Sequence, residues 1–279
     1  MFAPSLFPET FITPEENELP LPVRVLTTTR VLPSDSKEAP DTATSSTRWQ
    51  PTPHLKGAAL EATFAQCRHG LHHFLPSPPL WLQQVHGADV VMIDGDTGTV
   101  RQTPPIADAA ITRMPNVVLA VLTADCLPVV IAGENVLAVA HAGWRGLADG
   151  VLENTVRSMT AASSSAASLT AWLGPAIGPA AFEVGEDVYA AFDTARDSET
   201  AACFTPADVP GKWLADLPAL ARLRLRRLGI SKISGGAWCT HSDAQRFFSY
   251  RRQRDEGRMA TLAWIVRRQE SERNTPNPP

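Results

Sequence analysis

The chain is expected to fold as an α+β domain, with layers of short strands covered by a few helices. Three observations support this. β-Branched and apolar runs of five or six residues recur between residues 117 and 140, each bounded by Asp, Gly or Asn. Only a few segments carry helical periodicity. Strands and helices also fail to alternate regularly, which argues against a repeated βαβ unit. With 44% of its 279 residues apolar, the chain can fill a core, and wholesale disorder is excluded. That length fits one large or two small domains.

Met1–Pro22 carries five prolines and reads as an extended lead-in, followed by a weakly alternating strand at Val23–Thr29. Ser34–Pro53 is rich in Pro, Ser, Thr and Asp and reads as a long loop. Leu60–Leu75 is expected to be a helix ending before Pro76. Trp81–Val85 and Val90–Ile93 read as short strands around a Gly87 turn. Val117–Leu122, Pro128–Ala132 and Val136–Ala140 read as buried strands.

Gly146–Ala162 has helical spacing, and the Ser/Ala-rich Ala161–Ser168 reads as a linker turn. Leu169–Leu173 is a strand candidate, and a helix is expected around Gly185–Phe192. Leu214–Leu228 is the clearest amphipathic helix. Leu217, Leu220, Leu223 (or Ala221) and Leu228 form its apolar side, its arginines form the wet side, and Gly229 stops it. Ala237–Thr240 and Met259–Val266 read as closing strands. The organisation expected is an irregular N-terminal part (1–79) packing on the main domain, a catalytic core (80–268) and a frayed tail (269–279).

Lys plus Arg total 25 against 29 Asp plus Glu, a formal charge of −4, with no basic excess to mark a nucleic-acid binder. The most apolar region, Val117–Ile131, is interrupted by Thr123, Asp125 and Pro128, whereas a membrane span needs roughly 20 apolar residues. Met1–Thr10 has no positive charge ahead of an apolar stretch, so no secretory signal is expected. The four cysteines, Cys67, Cys126, Cys203 and Cys239, form no C-x-x-C pair. That pattern fits a reducing compartment, so a cytoplasmic location is expected.

Three segments place unusual polar residues at the ends of apolar runs. They are Gln83–Gly87, Thr123–Pro128 and Ala140–Gly146. Two histidines and a cysteine (His86, His141 and Cys126) form a three-ligand set. Three protein ligands plus an open position are the mark of a catalytic zinc site. The same residues also suit a metal-free cysteine nucleophile, with a histidine as base and Asp125 orienting it. A buried small Cys126 flanked by ordinary turn histidines is the plain alternative. Spacing alone leaves all three open.

Gly143-Trp144-Arg145-Gly146 ahead of a helix has the character of an anion site, with Arg145 adding positive charge. Arg246–Arg252 mixes aromatics and arginines. It suits base stacking with anion binding, or equally a strand with Phe inside and Arg outside.

At these motifs the sequence resembles the YfiH-like family, also called the laccase-domain or multicopper polyphenol oxidase family. Its bacterial members include the peptidoglycan-editing factor. The motifs are Gln84-Val85-His86-Gly87, Thr123-Ala124-Asp125-Cys126-Leu127-Pro128 and His141-Ala142-Gly143-Trp144-Arg145-Gly146. Further matches are Leu173–Gly178 with Phe182–Gly185, and Phe247–Arg252 with Gly257–Ala260. The resemblance covers Trp81–Val266.

It implies an α/β/β/α-like sandwich of mixed sheets and a zinc held by His86, Cys126 and His141. It also implies phosphorolysis of adenosine, inosine, guanosine or methylthioadenosine, and deamination of adenosine, with purine nucleoside and phosphate as the molecules bound. Editing of peptidoglycan precursors is implied for some members. Residue chemistry then makes Gly143, Arg145, Gly146, Arg251 and Arg252 candidates for the anion, and Glu183 a candidate acid/base group. Upstream, the chain departs from the family: Thr28-Thr29-Arg30 runs into Val31-Leu32-Pro33-Ser34 instead of a Gly-Gly-Val-Ser type turn. Copper is an alternative occupant of a two-His, one-Cys site. Seven histidines in all, four of them in the irregular N-terminal part, disfavour a four-copper oxidase.

Overall fold

The computed structural model describes residues 11–15, 18–20, 22–30, 74–94, 103–162, 165–254 and 257–266. The loop expected over Ser34–Pro53, most of the helix expected over Leu60–Leu75, and the tail lie outside them. In chain order, the first elements are β1 (Phe11–Ile12), β2 (Val23–Thr28), β3 (Val90–Ile93), β4 (Ala109–Thr112) and β5 (Leu119–Thr123). Next come β6 (Leu127–Ala132), β7 (Leu137–Ala142), α1 (Trp144–Ala148), α2 (Val151–Ala162), β8 (Thr170–Leu173) and β9 (Glu183–Gly185). The chain continues with α3 (Glu186–Ala191), α4 (Ser198–Ala201), β10 (Phe204–Pro206), β11 (Lys212–Ala215), α5 (Leu217–Arg227), β12 (Lys232–Gly235) and β13 (Met259–Ile265).

The strands form a mixed six-stranded sheet ordered β12-β8-β6-β7-β4-β3 and an antiparallel four-stranded sheet ordered β1-β2-β13-β5. A small antiparallel sheet is ordered β10-β11-β9. The class is α+β, as expected from the pattern. The two larger sheets pack face to face. Along β13, Met259, Ala263 and Ile265 face the space between the sheets, while Ala260, Leu262 and Trp264 face outward. That alternation is the two-residue period of a strand, and both faces are covered. On the far side of the six-stranded sheet, Leu147, Leu152, Val156 and Met159 of α1 and α2 pack with Leu220 and Leu225 of α5. Strands β6 and β7 are buried on both faces, which explains their unbroken apolar runs.

Several expectations need correction. Trp81–Val85 is not a strand; within it Gln83 makes one isolated bridge, to Ile106, and Leu80 just before it makes another, to Leu119. Ala237–Thr240 likewise contributes one bridge, Ala176 to Cys239, and the regular strand precedes it at Lys232–Gly235. The helix expected over Gly146–Ala162 is broken at Gly150, whose φ of 92° only glycine adopts cheaply. The helix expected from Leu214 begins at Leu217. The Asp216 carboxylate accepts from the Ala219 N–H at 2.8 Å, and Pro218 sits in the first turn, leaving 212–215 to form β11.

On α5 the buried side is Leu217, Leu220, Ala221 and Leu225, with Leu228 half-buried against the same core; Ala221 rather than Leu223 takes the middle position. Its arginines are not merely wet: Arg224 pairs with Glu153 at 2.6 Å, and Arg227 pairs with Asp197 and Glu199. Arg246–Arg252 is turn and coil rather than strand, with Phe247 and Phe248 buried and Tyr250 exposed.

Candidate metal centre

Strand alternation gathers the site at one end of the six-stranded sheet. On β7, Leu137 and Val139 face the neighbouring sheet, and His141 has the same parity. Pro128 is the cross-strand partner of His141, which places Cys126, two residues earlier, on the same face. Residue Ala109 of β4 pairs with Ala140, so Asp108 lies opposite His141, and the His141 N–H donates to the Asp108 carbonyl at 2.7 Å.

The donor atoms of His86, Cys126 and His141 all lie within 4.8 Å of one another. Among the described residues this is the one such cluster of three that can hold a metal ion. The two rings meet edge to face, with centroids 4.7 Å apart. His141 is buried, Cys126 is partly exposed and His86 is exposed, so the cluster opens to solvent on the His86 side.

Asp108 organises this centre, and the sequence reading passed over it. Its carboxylate is fully buried and lies 2.8 Å from His141 Nδ1. The same carboxylate accepts the backbone N–H groups of Val85 (3.1 Å), His86 (3.0 Å) and Gly87 (2.8 Å). Burial pushes its pKa up, but the His141 imidazole and those N–H groups outweigh burial and hold it below the usual range. With Nδ1 occupied by Asp108, Nε2 of His141 is left to face the cluster. The hint was a lone acid inside the apolar run Ile106–Ile111.

The expected orienting role of Asp125 is corrected by the same observation. Asp125 accepts from Thr240 Oγ1 (2.6 Å), Ser249 Oγ (3.1 Å) and the Arg251 N–H (2.6 Å). It therefore ties the Cys126 turn to the Thr240–Arg251 segments rather than to a histidine.

His86 reaches the cluster from a strained turn at φ 61°. Gln84 anchors the lead into that turn. Its amide accepts from the Leu122 N–H at 2.8 Å and donates to the Leu122 carbonyl at 2.9 Å, as a neighbouring strand would. Two glycines clear the space. A Cβ on Gly143 would sit 3.0 Å from Cys126 Sγ and 3.1 Å from His86 Cδ2. A Cβ on Gly146 would sit 2.5 Å from the Gly87 carbonyl oxygen.

Electrostatics complete the arrangement. Partial burial pushes the Cys126 thiol up, but His141 and His86 outweigh it and bring it down to about 6. Burial pushes His141 down, but Cys126 and Asp108 outweigh that and raise it to about 9. Without a metal the donors satisfy one another as thiolate and imidazolium. A divalent cation bound there would take the place of that proton.

The remaining candidates are distributed around this centre. Arg145 is exposed on α1, with its guanidinium 4.2 Å over the Trp144 ring. Glu183 is exposed on β9, and its carbonyl accepts from the Arg251 guanidinium at 2.8 Å. The Arg252 guanidinium donates to the carbonyls of Thr240, His241 and Phe247. No helix among the described residues is long and apolar enough to cross a membrane.

Residues 59–266 match the family model described as multi-copper polyphenol oxidoreductase laccase. Over 196 residues the chain is 56% identical to a Xylella fastidiosa (strain Temecula1) protein named purine nucleoside phosphorylase; the match covers 68% of this chain and 74% of that one. An Escherichia coli K12 protein named purine nucleoside phosphorylase YfiH is 47% identical over 195 residues, covering 69% and 76%. The solved structure of the Neisseria meningitidis protein NMB0706 aligns with a TM-score of 0.74 at 37% identity, over 92% of this chain and 100% of that one. YlmD from Geobacillus stearothermophilus, at 24% identity, shares the fold with a TM-score of 0.75 over 92% of this chain and 97% of its own.

Proposed function

This chain belongs to the multi-copper polyphenol oxidoreductase laccase family, and from that premise we propose that it is a zinc-dependent purine nucleoside phosphorylase. Its substrates are adenosine, inosine, guanosine and methylthioadenosine, with phosphate as co-substrate. Deamination of adenosine, and a part in editing peptidoglycan precursors, belong to the same proposal, as does a cytoplasmic location. The supporting observation is the His86, Cys126 and His141 cluster with His141 fixed by Asp108, in a chain 56% identical to a protein named for this activity.

The donor set fits zinc. One thiolate and two imidazoles leave a fourth position open, and zinc bound there supplies a positive charge and Lewis acidity. Copper competes well at such donors. Oxidase chemistry on several coppers would need a further cluster of imidazoles, and His241 is the one further histidine among the described residues, the other four preceding residue 74.

In phosphorolysis a phosphate oxygen bonds to the sugar C1′ and the C1′–N9 bond breaks. Its electron pair leaves with the purine, and the proton carried by hydrogen phosphate ends on the base. The chain's tasks are to exclude competing water, hold phosphate at C1′ and stabilise the leaving base. Arg145, beside Gly143 and Gly146, is assigned to the approach side, and Arg251 and Arg252 to the wall that carries Tyr250. Glu183 is the carboxylate assigned to proton transfer.

A second reading has its own observation. The depressed Cys126 thiol, His141 and Asp108 form the order thiolate, imidazolium, carboxylate that a cysteine hydrolase uses. Turnover of inosine and adenosine with phosphate, followed by release of the free base, separates the two. The phosphorylase reading expects activity that is abolished in a folded Cys126→Ser variant and by a strong chelator. Activity indifferent to the chelator but blocked by alkylation of Cys126 would replace it with the hydrolase.

A further inference from the structure

The arginines near the Cys126 turn divide by their surroundings. Arg251 and Arg252 direct their guanidiniums to backbone carbonyls, and the exposed Arg145 lies over the half-buried Trp144 ring. Arg258 differs from all three, being only 8% exposed. Strand β13 starts at Met259, which pairs with Thr123, so the register sets Arg258 opposite Ala124, next to Asp125 and Cys126. Its Cζ lies 5.6 Å from the Tyr250 ring centroid, and that ring is 41% exposed. The Arg254 Cζ lies 5.9 Å from the same ring, on the solvent side of the chain. Arg258 Nη1 also donates to the Gly257 carbonyl at 3.1 Å, which fixes the head of the side chain near the turn.

Charge explains why a buried cation belongs here. The Cys126 thiolate and the carboxylates of Asp108 and Asp125 put three negative charges around the cluster. A divalent cation would offset two of them, and Arg258 is the buried positive charge that acts with Cys126 and Asp125. Burial lowers the Arg258 pKa while Cys126 and Asp125 offset part of that, and a guanidinium stays charged throughout. Its planar fork matches two phosphate oxygens at once, and stacking on an aromatic ring holds that plane still.

We propose that Arg258, held against the Tyr250 ring, is the phosphate-binding group of this site. The proposal rests on the phosphorylase reading for its choice of phosphate. It moves the anion from Arg145, Arg251 and Arg252, named by their place in the sequence, to a residue chosen by burial and register.

The test compares the metal-loaded wild type with Arg258→Gln and Arg258→Lys, each checked for native circular dichroism and metal content. The first readout is the shift of melting temperature with inorganic phosphate at constant ionic strength. The second is the KM for phosphate and for inosine. In the wild type, phosphate should raise the melting temperature, and Arg258→Gln should lose that shift. The phosphate KM should rise about ten-fold or more in Arg258→Gln while the inosine KM stays within about two-fold. Arg258→Lys keeps the charge but not the fork, and should recover part of the phosphate affinity. If Arg258→Gln does not fold, a raised phosphate KM in Arg258→Lys carries the test.

A wild type that phosphate does not stabilise would overturn the proposal. So would a folded variant with wild-type phosphate KM. If the wild type turns over no nucleoside yet its phosphate shift depends on Arg258, the anion site stands and the phosphorylase reading falls.

Discussion

His141 enters the donor cluster from inside a strand, whereas His86 enters it from a turn held at φ 61°. For His141, the β6–β7 and β4–β7 pairings fix position and direction, and Asp108 has only to choose which ring nitrogen faces the cluster. His86 has no such lattice. Its turn is assembled by three N–H groups converging on the same Asp108 carboxylate and by the Gln84 amide pairing with Leu122. The difference shows how one buried acid can do two jobs. Asp108 orients a ligand that the sheet already places, and it builds the backbone of a ligand that the sheet does not reach.

The strongest way to break this pairing is to remove the acid. Asp108→Ala leaves three N–H groups and one imidazole N–H without an acceptor in a buried place. A loss of about 3–5 kcal/mol in urea unfolding is expected, together with loss of metal. Asp108→Asn keeps the shape but not the charge, and should fold while binding metal roughly 10–100-fold more weakly in a chelator competition. Unchanged affinity in Asp108→Asn would mean that the orientation of His141 is set elsewhere.

A finer contrast comes from glycine. Both His86→Gly and His86→Ala lose a ligand, but glycine accepts the positive φ. His86→Gly should therefore be the more stable by about 1 kcal/mol in thermal or urea unfolding. At His141 the order should reverse by a similar amount, because glycine weakens a strand interior. The same order at both positions would contradict the account of the turn.

The smallest effect concerns the metal-free protein. The histidines hold the Cys126 thiol down at about 6, so the thiolate dominates above that pH and declines as pH falls through it. Iodoacetamide labelling of Cys126, followed by peptide mass spectrometry, should show a midpoint near pH 6. Cys203, pushed up by burial and by Asp216, should label only at much higher pH.

The strongly patterned parts of the fold were legible in the sequence. Strands β5 to β8 and β13 announce themselves because both of their faces are buried, which leaves long apolar runs bounded by turn residues. Strands β9, β10 and β11 are short and mix burial with exposure, so no period emerges from three or four residues. The break at Gly150 was hidden because the apolar spacing continues through it.

Within the site, His86, Cys126 and His141 stand out as polar residues at the ends of apolar runs. Asp108 did not, because its partners lie 21 to 33 residues away and become neighbours only through the β4–β7 register on one side and the pairing of residues 83–89 with the lead into β4 on the other. Arg258 was visible as part of a motif, but its nearness to Cys126 depends on the Met259–Thr123 pairing. Asp125 misled for a related reason. It adjoins Cys126 in sequence, yet its positive φ of 86° belongs to a turn whose carboxylate bonds to Thr240, Ser249 and the Arg251 N–H.

The central claim is a single metal held by one cysteine and two histidines. Metal content by mass spectrometry on untagged wild type, beside Cys126→Ser and Asp108→Asn, tests it directly. The account predicts about one zinc per chain in the wild type, loss in Cys126→Ser and partial occupancy in Asp108→Asn. Wild-type protein that carries no metal after purification without chelators, or a Cys126→Ser variant that keeps its full complement, would contradict it.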